Sequence, residues 1–436
     1  MWEHHAVTQR SDVGRTVQSA IYRAGVYGRR PPVPTAPDAL EAAARRRMGA
    51  RGWAYIGGGA GAERTLAANR EAFGRYRVVP RLMVDVEQRS LATTVLGRTL
   101  PAPVLLAPVG ALELAVGGRP DRAEPAVARA ARDLGLPVVI SSQASTPLED
   151  TAATLGDSPR WFQLYWSRDD DVAASFVARA EAAGADALVV TLDTHVLGWR
   201  PRDLDLGYLP FAHGEGIAQY TSDPAFQRLA ATRAAAPADP AAAQRPTLAA
   251  VRALLTMRRH GATRADVETF LDVFSRSTLT WPDLARLRER TRLPIVVKGV
   301  QHPDDARRAL DHGADGVVVS NHGGRQVDNA VASLDALPGV VAAVDGTAPV
   351  LFDSGIRTGA DVFVALALGA DAVLLGRPWV YGLALAGQTG VRTVVENVLA
   401  ELDLTMALAG VRDVVEIGVE HLDAPRPSSV HPLRAS

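Results

Sequence analysis

The stretch GVVVSNHGGRQ, residues 316–326, joins a short apolar run to a group of polar residues and glycines. The run Gly316–Val319 carries no charge and does not alternate with polar residues, which is typical of a strand buried on both faces of a parallel sheet. Polar groups are costly to bury without partners. The end of this strand is therefore predicted to face a ligand, because a hydroxyl, an amide, an imidazole and a guanidinium follow at Ser320, Asn321, His322 and Arg325.

The same arrangement of an apolar run with a polar end recurs along the chain, with amphipathic helical patterns between the runs. Helices are predicted at Pro125–Leu134, Val172–Ala183 and Pro303–His312, each followed by a glycine. Eight such units predict an α/β fold, a (β/α)8 TIM barrel. A doubly wound open sheet is the alternative, but the even spacing favours closure. The predicted strands are Val104–Ala107, Pro137–Ile140, Trp161–Tyr165, Ala187–Val190, Pro294–Val297, Gly316–Val319, Pro349–Phe352 and Ala372–Leu375.

Two segments depart from this repeat. Residues 1–37 are polar and are predicted to form an extended N-terminal arm, while residues 38–436 form the barrel domain, with a first helix at Ala39–Met48. About a hundred residues separate Thr194 from Leu293, whereas ordinary connections have 2–6. We interpret residues 203–280, approximately, as an insertion after strand four that acts as a lid. Residues 230–245, rich in Ala and Pro, also fit a linker, and residues 280–283 fit a helix capping box.

The composition excludes several classes of protein and site. The chain has 436 residues, 47% hydrophobic and 22% charged, as expected for a globular protein with a large core. Its net charge of −1 favours neither nucleic acid nor a membrane surface. The absence of cysteine excludes disulfides and thiolate ligands, and no metal site is predicted. Neither a signal peptide nor an apolar stretch of roughly 20 residues is seen, so a cytoplasmic location is expected.

The predicted strand ends form a polar ring. In a (β/α)8 barrel, the binding and catalytic residues lie at the C-terminal ends of the strands. A hydrogen-bonding group at nearly every strand end indicates a ligand with many heteroatoms. From the first strand to the eighth, these ends supply Gly110, Ser141, Gln163 with Tyr165, Thr191 with Asp193, Lys298, Ser320 with His322 and Arg325, Asp353, and Gly376 with Arg377.

The last two strand ends predict a phosphate site. DSGIR, residues 353–357, and GRP, residues 376–378, supply glycines that let the backbone approach an anion and arginines that neutralise it. The loops after strands seven and eight are the usual phosphate site of such barrels. By contrast, GGGAG at residues 57–61 lacks the Lys-Ser or Lys-Thr of a P-loop and is predicted to be a turn. FMN fits a phosphate combined with a wide polar ring, and a phosphorylated sugar is the alternative.

His322, Asp193 and Arg325 predict proton abstraction. A carboxylate paired with an imidazole fixes its tautomer and stabilises the imidazolium. A guanidinium binds a carboxylate bidentately. The three residues therefore suit a substrate that has both an acidic proton and a carboxylate.

Several motifs resemble, in order, the family of FMN-dependent α-hydroxy acid oxidases and dehydrogenases from about Leu40 to Leu422: FQLYW, VVTLDT, VVKGV, SNHGGRQ, LFDSGIRTGADV and LLGRP. The resemblance implies an N-terminal helical segment across the barrel mouth and FMN as cofactor. It implies His322 as the base, assisted by Asp193, and Lys298 at the N1–C2 edge of the flavin. Its substrate-binding residues would be Tyr55, Tyr165, Arg200 and Arg325. Its other cofactor-binding residues would be Pro108, Val109, Gly110, Ser141, Gln163, Thr191, Ser320, Asp353, Ser354, Gly355, Arg357, Gly376 and Arg377.

Within that family, the chain resembles the lactate 2-monooxygenases in LGWRPRDLD (197–205), QYTSDPAFQ (219–227) and GVQHPDDARRA (299–309). Gly110 stands where many family oxidases carry Ala. The resemblance implies oxidation of an L-2-hydroxy acid by oxygen, decarboxylation of the retained keto acid, and a homotetramer or homo-octamer. The alternatives are a simple oxidase that releases keto acid and hydrogen peroxide, and a non-redox FMN isomerase. Gln143 and Ile56 depart from the glycolate oxidase pattern, which leaves the substrate side chain open.

Overall fold

Eight parallel strands close into a barrel in a computed structural model that describes residues 12–235 and 247–423. The barrel strands are β4 to β11, in the order β10-β11-β4-β5-β6-β7-β8-β9. All eight predicted strands are confirmed. The strands of the described residues are β1 Arg77–Val78, β2 Thr93–Val95, β3 Arg98–Leu100, β4 Val104–Leu106, β5 Val138–Ser141, β6 Arg160–Leu164, β7 Ala187–Thr191, β8 Ile295–Val300, β9 Gly316–Val319, β10 Val350–Asp353, β11 Ala372–Leu375 and β12 Leu422–Asp423.

The parallel register brings the polar strand ends to one rim. Ser141 lies beside Gln163, and Thr191 lies beside Lys298, as cross-strand partners. The barrel interior is filled by alternate strand residues, since side chains on a strand point to opposite faces in turn. The interior cluster includes Leu105, Val139, Trp161, Val189, Val296, Val318, Leu351 and Leu374.

Helices surround the barrel, and the helices predicted from the sequence are confirmed. Gly135, Gly184 and Gly313 follow three of them with positive φ, as predicted. No helix of the described residues is long and apolar enough to cross a membrane. The helices are α1 Val13–Val26, α2 Pro37–Arg47, α3 Ala50–Gly57, α4 Arg64–Glu71, α5 Glu124–Leu134, α6 Leu148–Leu155, α7 Asp170–Ala182, α8 Pro201–Asp205, α9 Ala218–Thr221, α10 Pro224–Ala235, α11 Leu248–Arg259, α12 Arg264–Val273, α13 Trp281–Arg290, α14 Pro303–Asp311, α15 Ser333–Val344, α16 Gly359–Ala367 and α17 Arg377–Ala409, which is interrupted at Ala386 and Gly387.

The N-terminal segment corrects one prediction. Part of the predicted extended arm is helical, because α1 packs along α17 and its Gly14 N–H donates to the buried Asp403 Oδ2 at 2.8 Å. This tertiary contact spans almost the whole chain, so the polar local sequence could not show it. Residues 1–11 of the predicted arm lie outside the described residues.

The described part of the insertion after β7 contains the helices α8 to α12, joined by turns. Its aromatic residues pack together: the ring centroids of Tyr220 and Phe270 are 4.7 Å apart, and those of Phe211 and Phe270 are 5.1 Å apart. The predicted capping box is confirmed at Thr280 and Asp283, where α13 begins. Of the segment 230–245, residues up to 235 belong to α10, and the remainder lies outside the described residues.

Candidate active site

A cavity of about 1070 Å³, including its open mouth, lies at the C-terminal rim of the barrel. The walls come from the barrel strand ends, from α3 and from the insertion. All the residues predicted for the site line this cavity except Asp193 and Ser320. These two contact lining residues from behind: Asp193 contacts His322, and Ser320 contacts Lys298.

His322 and Asp193 form a close pair. His322 Nδ1 lies 2.8 Å from Asp193 Oδ1, and Nε2 lies 3.4 Å from the Tyr165 hydroxyl. Thr194 donates to the same Asp193 oxygen at 2.8 Å. The backbone N–H of His322 donates to Ser320 Oγ at 3.0 Å, which fixes the start of the loop. In this pairing Nδ1–H donates to the Asp193 carboxylate, so the Nε2 lone pair faces the cavity.

Electrostatics keep this pair ready to accept a proton. Burial lowers the pKa of His322, and it outweighs the opposing attraction of Asp193, so the imidazole is neutral near pH 7. Burial alone would raise the pKa of Asp193, but attraction to His322 and Lys298, with hydrogen bonds, lowers it to about 2. A neutral imidazole held by an ionised carboxylate is the arrangement of a general base.

Two arginines lie on the same side of the cavity. The Arg325 guanidinium lies 5.0 Å from the centroid of the Tyr55 ring and donates to the Gly58 carbonyl at 3.1 Å. Arg200 donates to Gln326 Oε1 at 2.8 Å. Burial, with repulsion from Arg325, lowers the pKa of Arg200 to about 10, so it stays charged at neutral pH. Within residues 12–235 and 247–423, no carboxylate lies within 4 Å of either guanidinium.

Two tyrosines complete this end of the cavity. Burial raises the pKa of Tyr55, and it raises the pKa of Tyr165 to about 12. Both phenols are therefore protonated at neutral pH and can donate a hydrogen bond. This end of the cavity thus combines unpaired positive charge, two hydroxyl donors and a base.

The part of the cavity wall formed by β6 to β8 holds buried polar atoms that have no partner among the described residues: Gln163 Nε2 and Thr191 Oγ1. Gln163 Oε1 accepts from Ser141 Oγ at 3.0 Å, which fixes the amide. Lys298 pairs with Asp353 at 2.9 Å. Burial would lower the pKa of Lys298, but Asp353 and Asp193 raise it to about 12. Buried donors without partners are destabilising, so this wall fits a ligand rich in acceptors, as the isoalloxazine ring of FMN is.

A third guanidinium lies at the predicted phosphate end of the cavity. Arg377 donates to the carbonyls of Ile56 and Gly323 at 3.0 Å and of Gly58 at 2.9 Å. Burial lowers its pKa to about 10, and none of the described carboxylates lies within 4 Å of it. Arg357 lies on the neighbouring loop, 3.9 Å from Glu41. The two cations fit the phosphate of the same cofactor.

A family model described as FMN-dependent dehydrogenase matches residues 44–424. The chain belongs to this family. FMN is therefore its cofactor, and the family's enzymes oxidise α-hydroxy acids.

Relatives in the family cover nearly the whole chain. An FMN-dependent α-hydroxy acid dehydrogenase of Penicillium citrinum is 42% identical over 400 residues, which is 92% of this chain and 93% of the relative. An L-lactate oxidase of Lysinibacillus sphaericus is 40% identical over 88% of this chain and 91% of its own. The structure of a mandelate oxidase with (S)-4-hydroxymandelic acid superposes with a TM-score of 0.73 at 38% identity, covering 89% of this chain and 98% of that one.

Some lining residues of this FMN enzyme were not predicted. Thr194, Leu197, Phe211 and Phe274 line the cavity. The last two come from the insertion, and only its unusual content of aromatic residues signalled them. The GGGAG turn also matters more than predicted, because the Gly58 carbonyl accepts hydrogen bonds from Arg325 and Arg377.

Proposed function

We propose that this protein oxidises an L-2-hydroxy acid at its α-carbon, with oxygen as the electron acceptor. The observation that carries the proposal is the neutral, Asp193-bound His322 beside the guanidiniums of the buried Arg200 and the half-buried Arg325, which have no carboxylate partner among the described residues. Buried charges need partners, and a substrate carboxylate supplies one.

The side chains then have distinct tasks. Arg200 and Arg325 bind the substrate carboxylate, and the hydroxyls of Tyr55 and Tyr165 hydrogen-bond the substrate oxygens. His322 Nε2 takes a proton from the substrate, and Asp193 stabilises the resulting imidazolium. Bound FMN would supply the two-electron redox chemistry between the substrate and oxygen. Lys298, held positively charged, would balance negative charge on the bound flavin ring.

The wall beside the substrate arginines favours a bulky apolar side chain. Phe211 and Phe274 line the cavity, and the Phe211 ring lies 6.2 Å from the Tyr55 ring. Leu197 lies at the same cavity. A methyl group would leave this surface largely uncovered, whereas an aromatic or branched group would bury it. The similarity to a mandelate oxidase supports a substrate larger than lactate.

We propose coupled decarboxylation, as in lactate 2-monooxygenases, as the main outcome. Oxidation by oxygen gives a 2-keto acid and hydrogen peroxide. If both stay in the cavity, they react to give an acid one carbon shorter, carbon dioxide and water. Two features support retention: the insertion forms part of the cavity wall, and Gly110 leaves space beside Gln143. The similarity to an L-lactate oxidase favours the second candidate, a simple oxidase that releases both products.

Two measurements test these proposals. A panel of L-2-hydroxy acids is added anaerobically, and bleaching of the flavin absorbance is recorded. We expect bleaching, fastest with bulky apolar side chains, and no bleaching by any member would refute 2-hydroxy acid oxidation. Carbon dioxide and peroxide are then measured per oxygen consumed with the best substrate. Stoichiometric peroxide with intact keto acid would make the protein a simple oxidase.

We also propose association into a homotetramer or homo-octamer. The loop after β1 exposes two large apolar side chains, Leu82 at 86% and Met83 at 103% of their maximal areas. Adjacent exposed apolar side chains can be covered by a second copy, and this supports the proposal. Sedimentation analysis of the FMN-loaded chain measures the assembly, and a monomer at micromolar concentration contradicts this proposal.

A further inference from the structure

A second polar cluster lies between the insertion and the loop after β4, outside the cavity. Glu113, in the turn Leu112–Val116, is fully buried, and His260 follows the end of α11 with a side chain that is 7% exposed. His260 Nε2 lies 2.5 Å from Glu113 Oε2. The predicted catalytic residues do not contact either one, so this buried pair has no part in the proposed mechanism above.

The geometry of the pair requires an extra proton. His260 Nδ1 lies 2.8 Å from the carbonyl oxygen of Thr256, while Nε2 faces the Glu113 carboxylate. A neutral imidazole has one N–H and cannot donate to both oxygens. An ionised Glu113 beside a neutral His260 would therefore place two lone pairs face to face. The observed contacts need either an imidazolium with a carboxylate or a neutral imidazole with a protonated carboxyl.

The same glutamate fixes the insertion against the cavity wall. Glu113 Oε1 accepts from the backbone N–H of Gly216 at 2.9 Å. Gly216 lies so close to the wall that a Cβ on it would be 2.8 Å from the Ala111 Cβ. Ala111 directly follows Gly110, which lines the cavity, and Phe211 lines it from the insertion. The Glu113–His260 contact thus joins the two parts of the chain that meet around the substrate side chain.

We propose that Glu113 and His260 are positioning residues whose shared proton holds the insertion closed over the cavity and so places Phe211 against the substrate. The inference rests on the proposed function of the insertion as a lid. Loss of the proton leaves an unpaired buried carboxylate facing a lone pair, and the insertion then loosens. Closure is accordingly strongest at low pH and weakens as the pH rises.

The groups around the pair support the same direction. The hydrogen bond to Glu113 is the largest cause that raises the pKa of His260. Burial, with repulsion from Glu113, raises the pKa of Glu215 to about 7. Both groups bind protons more tightly in the closed form, so their contribution to closure is present at low pH and is lost as the pH rises through the raised values. Tyr208, whose ring lies 4.3 Å from the Arg51 guanidinium, donates to Glu215.

Two further titratable groups face the cluster. Burial, and then repulsion from Arg51, lowers the pKa of His213, so it is neutral and does not compete as a cation. Burial raises the pKa of Glu124 in α5 to about 7, with a smaller contribution from Glu113. Because Glu124 and Glu215 themselves titrate near neutral pH, a variant at His260 is needed to separate their effects from that of the proposed contact.

Amide hydrogen exchange of the FMN-loaded chain tests the proposal. Protection of residues 208–221 is measured from about pH 6 to 9, corrected for intrinsic exchange, in the parent and in His260→Gln. At the low end of this pH range, protection in the parent should exceed that in His260→Gln about tenfold, as expected for the loss of one hydrogen bond between charged groups. At the high end this excess should disappear. His312→Gln is the matched control, because His312 Nδ1 also contacts the carbonyl four residues earlier, at 2.8 Å from Arg308, at a helix end. It should follow the parent at every pH.

Other outcomes overturn the inference. If residues 208–221 are equally protected in the parent and in His260→Gln, the pair has no positioning role. If the variant is less protected than the parent by the same factor at every pH, closure does not depend on the shared proton. Loss of protection in α16, or loss of FMN, would show that His260→Gln disturbs the fold as a whole. In that case Glu113→Gln, which keeps the shape of the side chain, is measured instead, with the same expected result. Anaerobic bleaching is recorded in parallel. Absence of bleaching refutes the proposed oxidation, whereas the exchange result still decides the role of the pair.

Discussion

Replacement of Asp193 by Asn tests the central pair of the site with little change in shape. Asp193 Oδ1 accepts from His322 Nδ1 at 2.8 Å, and the residue does not line the cavity. The amide of Asn can donate to Nδ1 instead, which moves the imidazole proton to Nε2. His322 then has no lone pair facing the substrate. We expect Asp193→Asn to bind FMN normally and to lose most of its substrate-driven flavin reduction.

The shifted pKa of Asp193 indicates the order of magnitude of this loss. The pKa of Asp193 is about 2, against an ordinary value of 3.8, although burial opposes the shift. Nearly two pKa units correspond to ~2.5 kcal/mol of net attraction to its cationic neighbours. Lys298 shares this attraction with His322, so losing the part that stabilises the imidazolium lowers the reduction rate by up to about 100-fold. The change of tautomer lowers the rate further. An equivalent Asp→Asn substitution in a serine protease lowers kcat by about 10⁴-fold.

Stopped-flow reduction without oxygen is the assay, at saturating substrate and equal FMN content. Thr194→Val is the matched control, because Thr194 donates to the same carboxylate oxygen at 2.8 Å but carries no charge. A hydrogen bond to an ionised carboxylate is worth about 1.5–3 kcal/mol, but Thr194→Val keeps the charge of Asp193 and its contact with His322, so its rate should fall clearly less than that of Asp193→Asn. A rate for Asp193→Asn within tenfold of the parent would show that His322 does not depend on this carboxylate and would refute the assignment.

Four further predictions follow from the same geometry. Arg325→Lys should raise KM and lower the reduction rate by about tenfold or more, because an ammonium cannot copy a bidentate fork; unchanged steady-state kinetics would contradict this. Arg377→Ala should yield protein with little FMN after gel filtration, judged by the ratio of flavin to protein absorbance, and full occupancy would place the phosphate elsewhere. Gly110→Ala should increase peroxide released per oxygen, since a Cβ there lies 3.0 Å from the Gln143 Cβ and 3.2 Å from the Tyr55 hydroxyl; an unchanged ratio would exclude Gly110 from product retention. Finally, kcat/KM should fall as the pH drops through a value below 6.5, because burial lowers the pKa of His322 and a protonated imidazole cannot act as a base; a midpoint above 6.5 would point to another group.

The barrel and most of the cavity could be predicted because they follow from local patterns. Each strand is a continuous apolar run, and parallel strands must bring their polar ends to one rim, so Gln163, Thr191 and Lys298 could be placed together without coordinates. The Glu113–His260 contact could not be predicted, because 147 residues separate the partners and the insertion must fold back before they meet. The α1 helix was missed for a similar reason, since its contact with α17 lies at the other end of the chain.

The loop after β9 shows how the local sequence and the catalytic geometry depend on each other. His322, Gly323 and Gly324 have φ values of +58°, +65° and +76°, so three successive residues are left-handed. This conformation costs a residue with a Cβ about 1–2 kcal/mol. Only His322 of the three residues has a Cβ, so the cost falls on His322 alone. Hydrogen bonds oppose that cost: Ser320 Oγ accepts from the His322 N–H at 3.0 Å, and Ser354 Oγ accepts from the Gly323 N–H at 2.9 Å. Strain of this kind concentrates at functional sites. Here the turn places the imidazole between Asp193 and Tyr165, so the polar residues after the apolar run serve both to hold the turn and to build the site.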